Sequence, residues 1–228
     1  KFADYLPLYR LEDIFQRQGF EISRATQSVW CGDVADLVES LYEVMAREMR
    51  KSQVVATDET VMPMLGPGQT QQARMWVYVG DASHPYNVFD FTLNRGRDGP
   101  KQFLKDYNQV LLADAYGGYN GVVASNQMTR AGCWAHARRK FIEAEKVAPE
   151  MVREAVARIG ILYGVEKEAK DLSVQQRLEL RQARSAPALA ELRHKFLEWK
   201  EQLLPKHPMA EAVSYALGQW QELSVFCS

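Results

Sequence analysis

The sequence has no long apolar run, and it is poor in the residues that build disulfide frameworks or zinc modules. No stretch of about 18 apolar residues occurs, which excludes a transmembrane helix. The three cysteines, Cys31, Cys133 and Cys227, lie far apart and never in CxxC spacing, which favours a reducing cytosol over a disulfide framework. The four histidines do not occur as HxxxH. These absences predict a cytoplasmic protein without a membrane span.

An excess of charge of one sign is also missing. The chain has 28 basic and 29 acidic side chains and a net charge of −1. This balance neither predicts nor excludes a nucleic-acid partner, because local patches decide such binding. The first residue is a lysine, and no charged-then-apolar leader follows it. We therefore expect no signal peptide, and we expect the sequence to be part of a longer reading frame.

The content of 46 % hydrophobic and 25 % charged residues is typical of a folded globular protein. Residues 1–50 are predicted to form two helices, the first ending at Gly19 and the second capped by Ser23. Apolar residues recur in the second helix at helical spacing, namely Trp30, Val34, Leu37, Leu41 and Val44. The pair is either a helix-turn-helix that reads DNA or an ordinary helical hairpin, and the excess of acids here favours the hairpin.

Residues 51–148 show the pattern of an α/β domain with a layered core. Apolar runs rich in β-branched and aromatic residues predict five strands, three in succession and then two alternating with helices. The runs at Gln53–Asp58 and Gln109–Asp114 are continuous, as expected for strands covered on both faces. Residues 149–228 read as helices with apolar stripes that form a core.

Two of these apolar runs end in a carboxylate. Asp58 follows Val54, Val55 and Ala56 in "QVVATDET", and Asp114 follows "QVLLA". Ligands of open α/β sheets bind at the carboxyl ends of the strands, so neighbouring strands would bring Asp58 and Asp114 together there. Mg²⁺ or Mn²⁺ relieves the repulsion between two such acids and can support phosphodiester chemistry. The alternative, that each aspartate is a cap or turn former, is weaker for the pair than for either alone.

Glu59 and His136 are predicted to support this site. Glu59 points away from Asp58 in an extended chain, so it is expected to form a salt bridge or to brace the ligands without binding the ion. His136 could cap a helix, bind the ion or shuttle a proton, and a structural hydrogen bond is the alternative.

Other residues are candidates for contacts with nucleic acid. Tyr116 and Tyr119 flank glycines in "AYGGYNG" and could stack on unpaired bases, or they could be half-buried in a turn. Arg138, Arg139 and Lys140 in "HARRKF" are predicted to lie on the first turns of a helix, where positive charge is unfavourable unless an anion such as a DNA phosphate binds. A solvated charge run is the alternative.

Four motifs occur in order along the chain: "YLPLYRLEDIFQRQGFEISRAT" at 5–26, "DET" at 58–60, "DAYGGYN" at 114–120 and "GCWAHARRKF" at 132–141. Together they resemble the central catalytic domain of the insertion sequence 66 family of bacterial transposases. The resemblance covers essentially the whole chain. It implies a DDE transposase with a ribonuclease-H-like fold, in which Asp58 and Asp114 are the first two acids of a catalytic triad.

The resemblance also implies cofactors and partners. Mg²⁺ or Mn²⁺ would be bound, the transposon ends and target DNA would be the partners, and a homo-oligomer would assemble on DNA. Residues 51–148 would be the catalytic core and residues 149–228 a helical insertion with a last helix. The family's third acid lies in a segment resembling "DNNxxER", which is absent from this sequence, so the third catalytic acid is not expected in this chain and the chain alone should be weakly active or inactive.

Two other functions remain open from the sequence. A non-catalytic DNA-binding remnant of a transposase fits the missing third acid. A phosphatase of the haloacid-dehalogenase kind would also place an aspartate after a strand, but it needs a second acid at the position of Thr60, which is not acidic.

Overall fold

The computed structural model describes residues 3–66 and 68–228, and the chain divides into two compact units, residues 1–48 and residues 49–228. The units are described separately below. Within the described residues, no helix is long and apolar enough to cross a membrane.

The first unit is a helical hairpin. Helix α1 (Leu8–Arg17) is followed by Gly19, whose φ of +85° lies in the left-handed region that favours glycine. Helix α2 (Arg24–Met49) begins after Ser23, whose hydroxyl accepts a hydrogen bond from the backbone N–H of Thr26 at 3.1 Å. Both the helix stop and the cap predicted from the sequence are therefore confirmed. The predicted apolar positions of α2 are exposed, and they comprise Trp30, Val34, Leu37, Leu41 and Val44.

The second unit contains a five-stranded mixed sheet. Its strands are β1 (Val54–Leu65), β2 (Thr70–Val79), β3 (Asn87–Thr92), β4 (Val110–Ala113) and β5 (Thr129–Gly132). Their spatial order is β3-β2-β1-β4-β5. The pairs β1–β2 and β2–β3 are antiparallel, whereas β4 pairs in parallel with both β1 and β5. The mixed α/β class and the element order predicted for this region are confirmed.

Strand β1 is longer than the sequence predicts. It does not end at Asp58 but continues to Leu65, because β2 pairs with it along its whole outer half, from Thr60 opposite Met75 to Leu65 opposite Thr70. Its parallel pairing with the shorter β4 ends at Ala56. The prediction that Asp58 closes a strand is wrong for β1 itself. Only the pairing of β1 with β4 ends near this residue, two positions before Asp58.

Helices α3 (Asp98–Leu104) and α4 (Tyr119–Ser125) connect β3 to β4 and β4 to β5, and helix α5 (Trp134–Glu143) follows β5. The rings of Tyr78 in β2 and Phe103 in α3 stack with centroids 3.8 Å apart, and Leu111 of β4 is fully buried. Aromatic and aliphatic side chains thus fill the space between the sheet and these helices, which fixes the strands that carry the candidate acids.

The remainder of the chain is helical, as predicted. It consists of α6 (Pro149–Glu168), α7 (Val174–Leu180), a π-helical turn (Arg181–Ser185), α8 (Ala186–Gln202), α9 (Pro208–Gly218), α10 (Trp220–Ser224) and a 3₁₀ turn (Val225–Cys227). Phe141 of α5 stacks on Phe196 of α8 with centroids 4.9 Å apart. Helix α5 therefore shares one hydrophobic core with the helices that follow it.

Candidate active site

The register of the two parallel strands aligns Asp58 with Asp114. Val55 pairs with Leu111 and Ala56 with Leu112, so the two aspartates lie equally far, two residues, beyond the last pair. Neighbouring strands are about 4.8 Å apart, and laterally matched residues of parallel strands face the same side of the sheet. The topology therefore brings the two predicted acids to adjacent positions at one edge of the β1–β4 pair.

The Asp58 side chain lies on the face of β1 that is directed toward helix α5. Its side chain is 50 % exposed, and its Oδ2 lies 3.6 Å from Nε2 of His136. Its Oδ1 accepts a hydrogen bond from the backbone N–H of Glu59 at 2.9 Å. Nδ1 of His136 is buried and has no partner among the described residues. His136 thus contacts the first acid directly.

Glu59 points to the opposite face of β1, as predicted, and only 4 % of its side chain is exposed. It forms an ion pair with Arg95, while its second oxygen, Oε2, is buried without a hydrogen-bond partner among the described residues. Burial raises the pKa of the Glu59 carboxyl, the guanidinium of Arg95 lowers it, and the negative charges of Asp114 and then Asp58 raise it again. The charges of both candidate acids therefore affect the pKa of Glu59, although its side chain faces away from Asp58.

Asp114 is held by the backbone of the loop that it begins. Its Oδ1 accepts a hydrogen bond from the N–H of Tyr116 at 2.9 Å, and its carbonyl oxygen accepts one from Arg130 of β5. The next N–H, that of Ala115, donates to the hydroxyl of Tyr215 in α9 at 3.3 Å. Contacts from a neighbouring strand and from the helical region thus fix the position of this acid.

The two tyrosines predicted to stack on bases lie inside an aromatic cluster with Trp76. The ring centroids of Tyr116 and Tyr119 are 5.5 Å apart, and that of Trp76 is 6.1 Å from Tyr116. Tyr119 has no exposed area, so its ring is inaccessible to a base in this conformation. A Cβ on Gly118 would lie 2.1 Å from the Tyr116 ring. The glycine therefore makes room for this ring.

The hydroxyl of Tyr119 joins the cluster to the sheet. It lies 3.4 Å from Oγ1 of Thr57, the residue between Ala56 and Asp58. Burial raises the pKa of Tyr119, and the charges of Glu59, Asp114 and Asp58 raise it further. The Tyr119 hydroxyl therefore keeps its proton and is a neutral group close to the acids.

The three cations of α5 are arranged differently from the prediction. The helix begins at Trp134, so Arg138 starts its second turn, and Lys140 lies in the last turn, where the helix dipole favours a positive charge. Lys140 also pairs with Glu143 at 3.0 Å. The interaction of Lys140 with the helix dipole is therefore favourable, and not unfavourable as predicted. Arg138 and Arg139 have no ion pair with any side chain in the described part of the chain.

The side chains around Asp58 and Asp114 offer few ligands for a divalent cation. In residues 3–66 and 68–228, no three His, Cys, Asp or Glu side chains converge as a ready-made metal cage. Mg²⁺, however, is commonly held by one or two carboxylates, with water and substrate phosphate oxygens completing its shell. Two aspartates in register on adjacent strands fit that mode of binding.

Sequence reasoning missed Arg95 and Arg130. Arg95 pairs with Glu59 and lies 4.1 Å from the ring centroid of Tyr116, while Arg130 donates to the carbonyl of Asp114 and, at 2.6 Å, to Oδ1 of Asn120. Neither belongs to a local motif. Only the pairing of β5 with β4 could have indicated Arg130, and no sequence signal places the loop of Arg95 beside β1.

Comparison with known proteins gave a family match over the entire chain. The family described as "Transposase IS66 family" matches residues 1–228.

Curated relatives come from one bacterium, Sinorhizobium fredii (strain NBRC 101917 / NGR234). The "Uncharacterized protein y4jD" is 32 % identical over 242 aligned residues, covering 99 % of this chain and 47 % of that protein. The "Uncharacterized protein y4qI" is 31 % identical, with 99 % of this chain and 45 % of that protein covered. The chain thus spans about half the length of these relatives.

Proposed function

Since the chain belongs to the transposase IS66 family, we propose that it is the part of a DNA transposase that carries the first two acids of a metal-dependent DDE site. Family membership indicates a DNA-processing enzyme and interaction with DNA. We further propose that Asp58 and Asp114 bind Mg²⁺ or Mn²⁺ for strand cleavage and transfer.

One observation supports this proposal above the others. Asp58 and Asp114 follow the last paired residues of β1 and β4, Ala56 and Leu112, at the same distance along the chain. Two aspartates that served only as turn formers would have no reason to share a register on adjacent parallel strands. The strand order β3-β2-β1-β4-β5, with only β2 antiparallel to its neighbours, also supports a ribonuclease-H-like fold.

Each residue of the site has a distinct proposed role. A bound divalent ion would supply an activated water or hydroxyl and would stabilise the leaving oxygen of a phosphodiester. Asp58 and Asp114 would hold that ion. His136 orients the Asp58 carboxylate and can hold a proton at Nε2, and Arg130 holds the backbone of Asp114. The charges of Arg138, Arg139 and Lys140 would contact DNA phosphates.

The proposal extends to the surroundings of the protein. We infer a cytoplasmic location, in association with the nucleoid when DNA is bound, and assembly as a homo-oligomer on transposon ends. We do not include Tyr119 among the DNA contacts, because its ring is buried.

Metal-dependent stabilisation tests the site. Mg²⁺ or Mn²⁺ at millimolar concentration should raise the Tm of the 228-residue chain, because a ligand that binds only the folded state stabilises it. Asp58→Asn combined with Asp114→Asn should abolish the shift, since two neutral amides bind a hard cation weakly. Differential scanning fluorimetry with and without EDTA measures both results.

Asp106→Asn is the matched control for this experiment. Asp106 is an exposed aspartate that precedes β4, at the opposite end of this strand from Asp114. Its replacement should leave the metal response unchanged. If the double variant of Asp58 and Asp114 kept the full response to metal, the site would lie elsewhere and the proposal would fail.

A further inference from the structure

A cleft between α5 and α6 carries two arginines and an aromatic ring. It has a volume of about 540 Å³ and is lined by Ala135, Arg138, Arg139 and Ile142 of α5 and by Tyr163 of α6. The α5 residues follow i, i+3, i+4, i+7 spacing, so they form one face of the helix. The cleft therefore combines apolar side chains, one aromatic ring and two cations.

The positive charge of the cleft is not neutralised locally. Neither Arg138 nor Arg139 has an ion pair with a described side chain. Glu143, four residues after Arg139, pairs with Lys140 at 3.0 Å, and Glu166, three residues after Tyr163, binds Arg181 through two contacts of 2.7 and 2.5 Å. Two guanidinium groups that share a cleft without a counter-ion repel each other, and an anion such as a phosphate would relieve this repulsion.

Tyr163 is exposed, whereas Tyr116 is partly buried and Tyr119 is buried. It is 45 % exposed, whereas Tyr119 is fully buried. Gly160 lies three residues before it, and, apart from the adjacent residues and the backbone of α6 itself, no described atom lies within 4 Å of the point where a Cβ on this glycine would stand. Side chains in a helix lean toward its N-terminus, so this open space lies on the side toward which the Tyr163 ring leans. The ring therefore has room for a planar partner.

The cleft begins close to the candidate acids. Ala135 directly precedes His136, which contacts Asp58 at 3.6 Å, and Arg139 follows His136 by three residues, or about 4.5 Å along the helix axis. A strand that passes the acids would therefore also pass close to the cleft.

We propose that the α5–α6 cleft binds an unpaired nucleotide of the DNA strand, with its base stacked on Tyr163 and its flanking phosphates on Arg138 and Arg139. This inference rests on the proposed function, because it assumes that DNA is the partner of α5. It adds Tyr163 and an unpaired strand to that proposal. Base stacking on an aromatic ring is tolerant of sequence, so the cleft recognises a single-stranded state and not a particular base.

The test compares two strands of equal charge. Fluorescence anisotropy in EDTA would measure binding of a labelled 12-nucleotide thymidine strand and of an abasic strand of the same length. The wild-type chain should bind the thymidine strand about 5- to 100-fold more tightly, because only that strand can stack. Tyr163→Ala should remove this preference, and Tyr163→Phe, which keeps the ring, should retain it.

The arginines are tested through salt dependence. Arg138→Gln combined with Arg139→Gln should weaken binding of both strands and reduce the slope of log K against log salt by about 1.4, since each phosphate contact on a single strand contributes roughly 0.7. Arg153→Gln, on the exposed part of α6 and paired with Glu150 at 2.9 Å, and Tyr86→Ala, in the turn before β3, are controls expected to change neither result.

The outcomes separate this inference from the proposed function. Equal binding of the two strands by the wild-type chain, or an unchanged preference in Tyr163→Ala with a native circular dichroism spectrum, would overturn the cleft alone. Binding of duplex DNA but not of the single strand would do the same. If the chain bound neither form of DNA, both proposals would fail.

Discussion

The positive charge of Arg95 offsets the negative charge of Glu59 next to the two candidate acids. The Glu59 carboxylate is nearly buried, lies close to two further acids and has Arg95 as its only ion-pair partner among the described residues. An ionised carboxylate in such surroundings is unfavourable unless a cation compensates it. Arg95 also stacks on Tyr116, whose backbone N–H binds Asp114. One guanidinium therefore stabilises both the buried acid and the loop of the second aspartate.

Arg95→Gln is expected to destabilise the protein by about 2 kcal/mol at pH 7.5, less than for a fully buried pair because the guanidinium is partly exposed. The pKa of Glu59 is already raised above 4.5, and loss of Arg95 should raise it further. An acid with a raised pKa in the folded state is destabilising while ionised, and this penalty disappears as the pH falls through that pKa. The difference between variant and wild type should therefore shrink from pH 7.5 to pH 5 in urea unfolding experiments.

Arg97→Gln is the control, because Arg97 is an exposed arginine in the same loop with no ion pair to a described side chain. It should change the free energy of unfolding by less than about 0.5 kcal/mol at either pH. A pH-independent cost of Arg95→Gln would show that the arginine acts through packing and not through the Glu59 charge.

At the scale of secondary structure, the alignment of β1 and β4 decides whether the two acids meet. Tyr107, which precedes β4, stabilises this alignment at the opposite end of the strands from the site. Its hydroxyl donates to the carbonyl of Val110 at 2.8 Å and lies 3.3 Å from that of Gln53, the residues that begin β4 and precede β1. A slip of one residue between the strands would move Asp114 to the other face of the sheet relative to Asp58.

Tyr107→Phe should cost about 1 kcal/mol at pH 7 through the lost hydrogen bonds. Burial raises the pKa of Tyr107 to about 12, against 10 for an exposed tyrosine. Below pH 10 both folded and unfolded chains keep the proton, and between pH 10 and 12 the unfolded chain loses it first. Stability of the wild type should fall by about 3 kcal/mol over that window, and the variant should lack this component.

Chemical denaturation at pH 9, 10, 11 and 12 measures this effect, with Tyr86→Phe as the control because Tyr86 is exposed. Parallel loss of stability in wild type and Tyr107→Phe would contradict the role given to the buried hydroxyl. The metal-dependent Tm shift measured on Tyr107→Phe would then report whether the strand alignment matters to the acids.

At the scale of the second unit, the site depends on the helices that follow it in sequence. Helix α5 presents His136 to Asp58 on one side and buries Ala137 and Phe141 in the helical core on the other. Tyr215 of α9 binds the backbone after Asp114. The helical region is therefore not only an appendage, since its packing positions groups that touch the acids.

Phe196→Ala should lower the free energy of unfolding by about 4 kcal/mol, because Phe196 is fully buried between Phe141 and Trp199. Leu197→Ala, at the neighbouring exposed position, should cost less than about 1 kcal/mol. Hydrogen exchange measured by mass spectrometry should show faster exchange in peptides of both α8 and β4 for Phe196→Ala. Faster exchange confined to α8 would mean that the helical core opens independently of the sheet.

The sequence by itself determined the type and order of the elements and indicated the two candidate acids. Continuous apolar runs fixed the buried strands, helical spacing fixed the stripes of α6 and α8, and Gly19 and Ser23 fixed the ends of the first two helices. These are local effects of side-chain periodicity and backbone geometry, which a short window of residues carries. The position of Asp58 and Asp114 after apolar runs is visible in the same way.

Only the tertiary structure decided which side chains surround those acids. The length of β1 depends on its pairing with β2, the burial of Tyr119 on Trp76 and Thr57, and the position of Arg130 on the pairing of β4 with β5. Arg95 reaches Glu59 across 36 residues of sequence, and Tyr163 reaches the arginines of α5 from the next helix. Contacts of this kind are set by how the elements pack, and no periodicity in the chain records them.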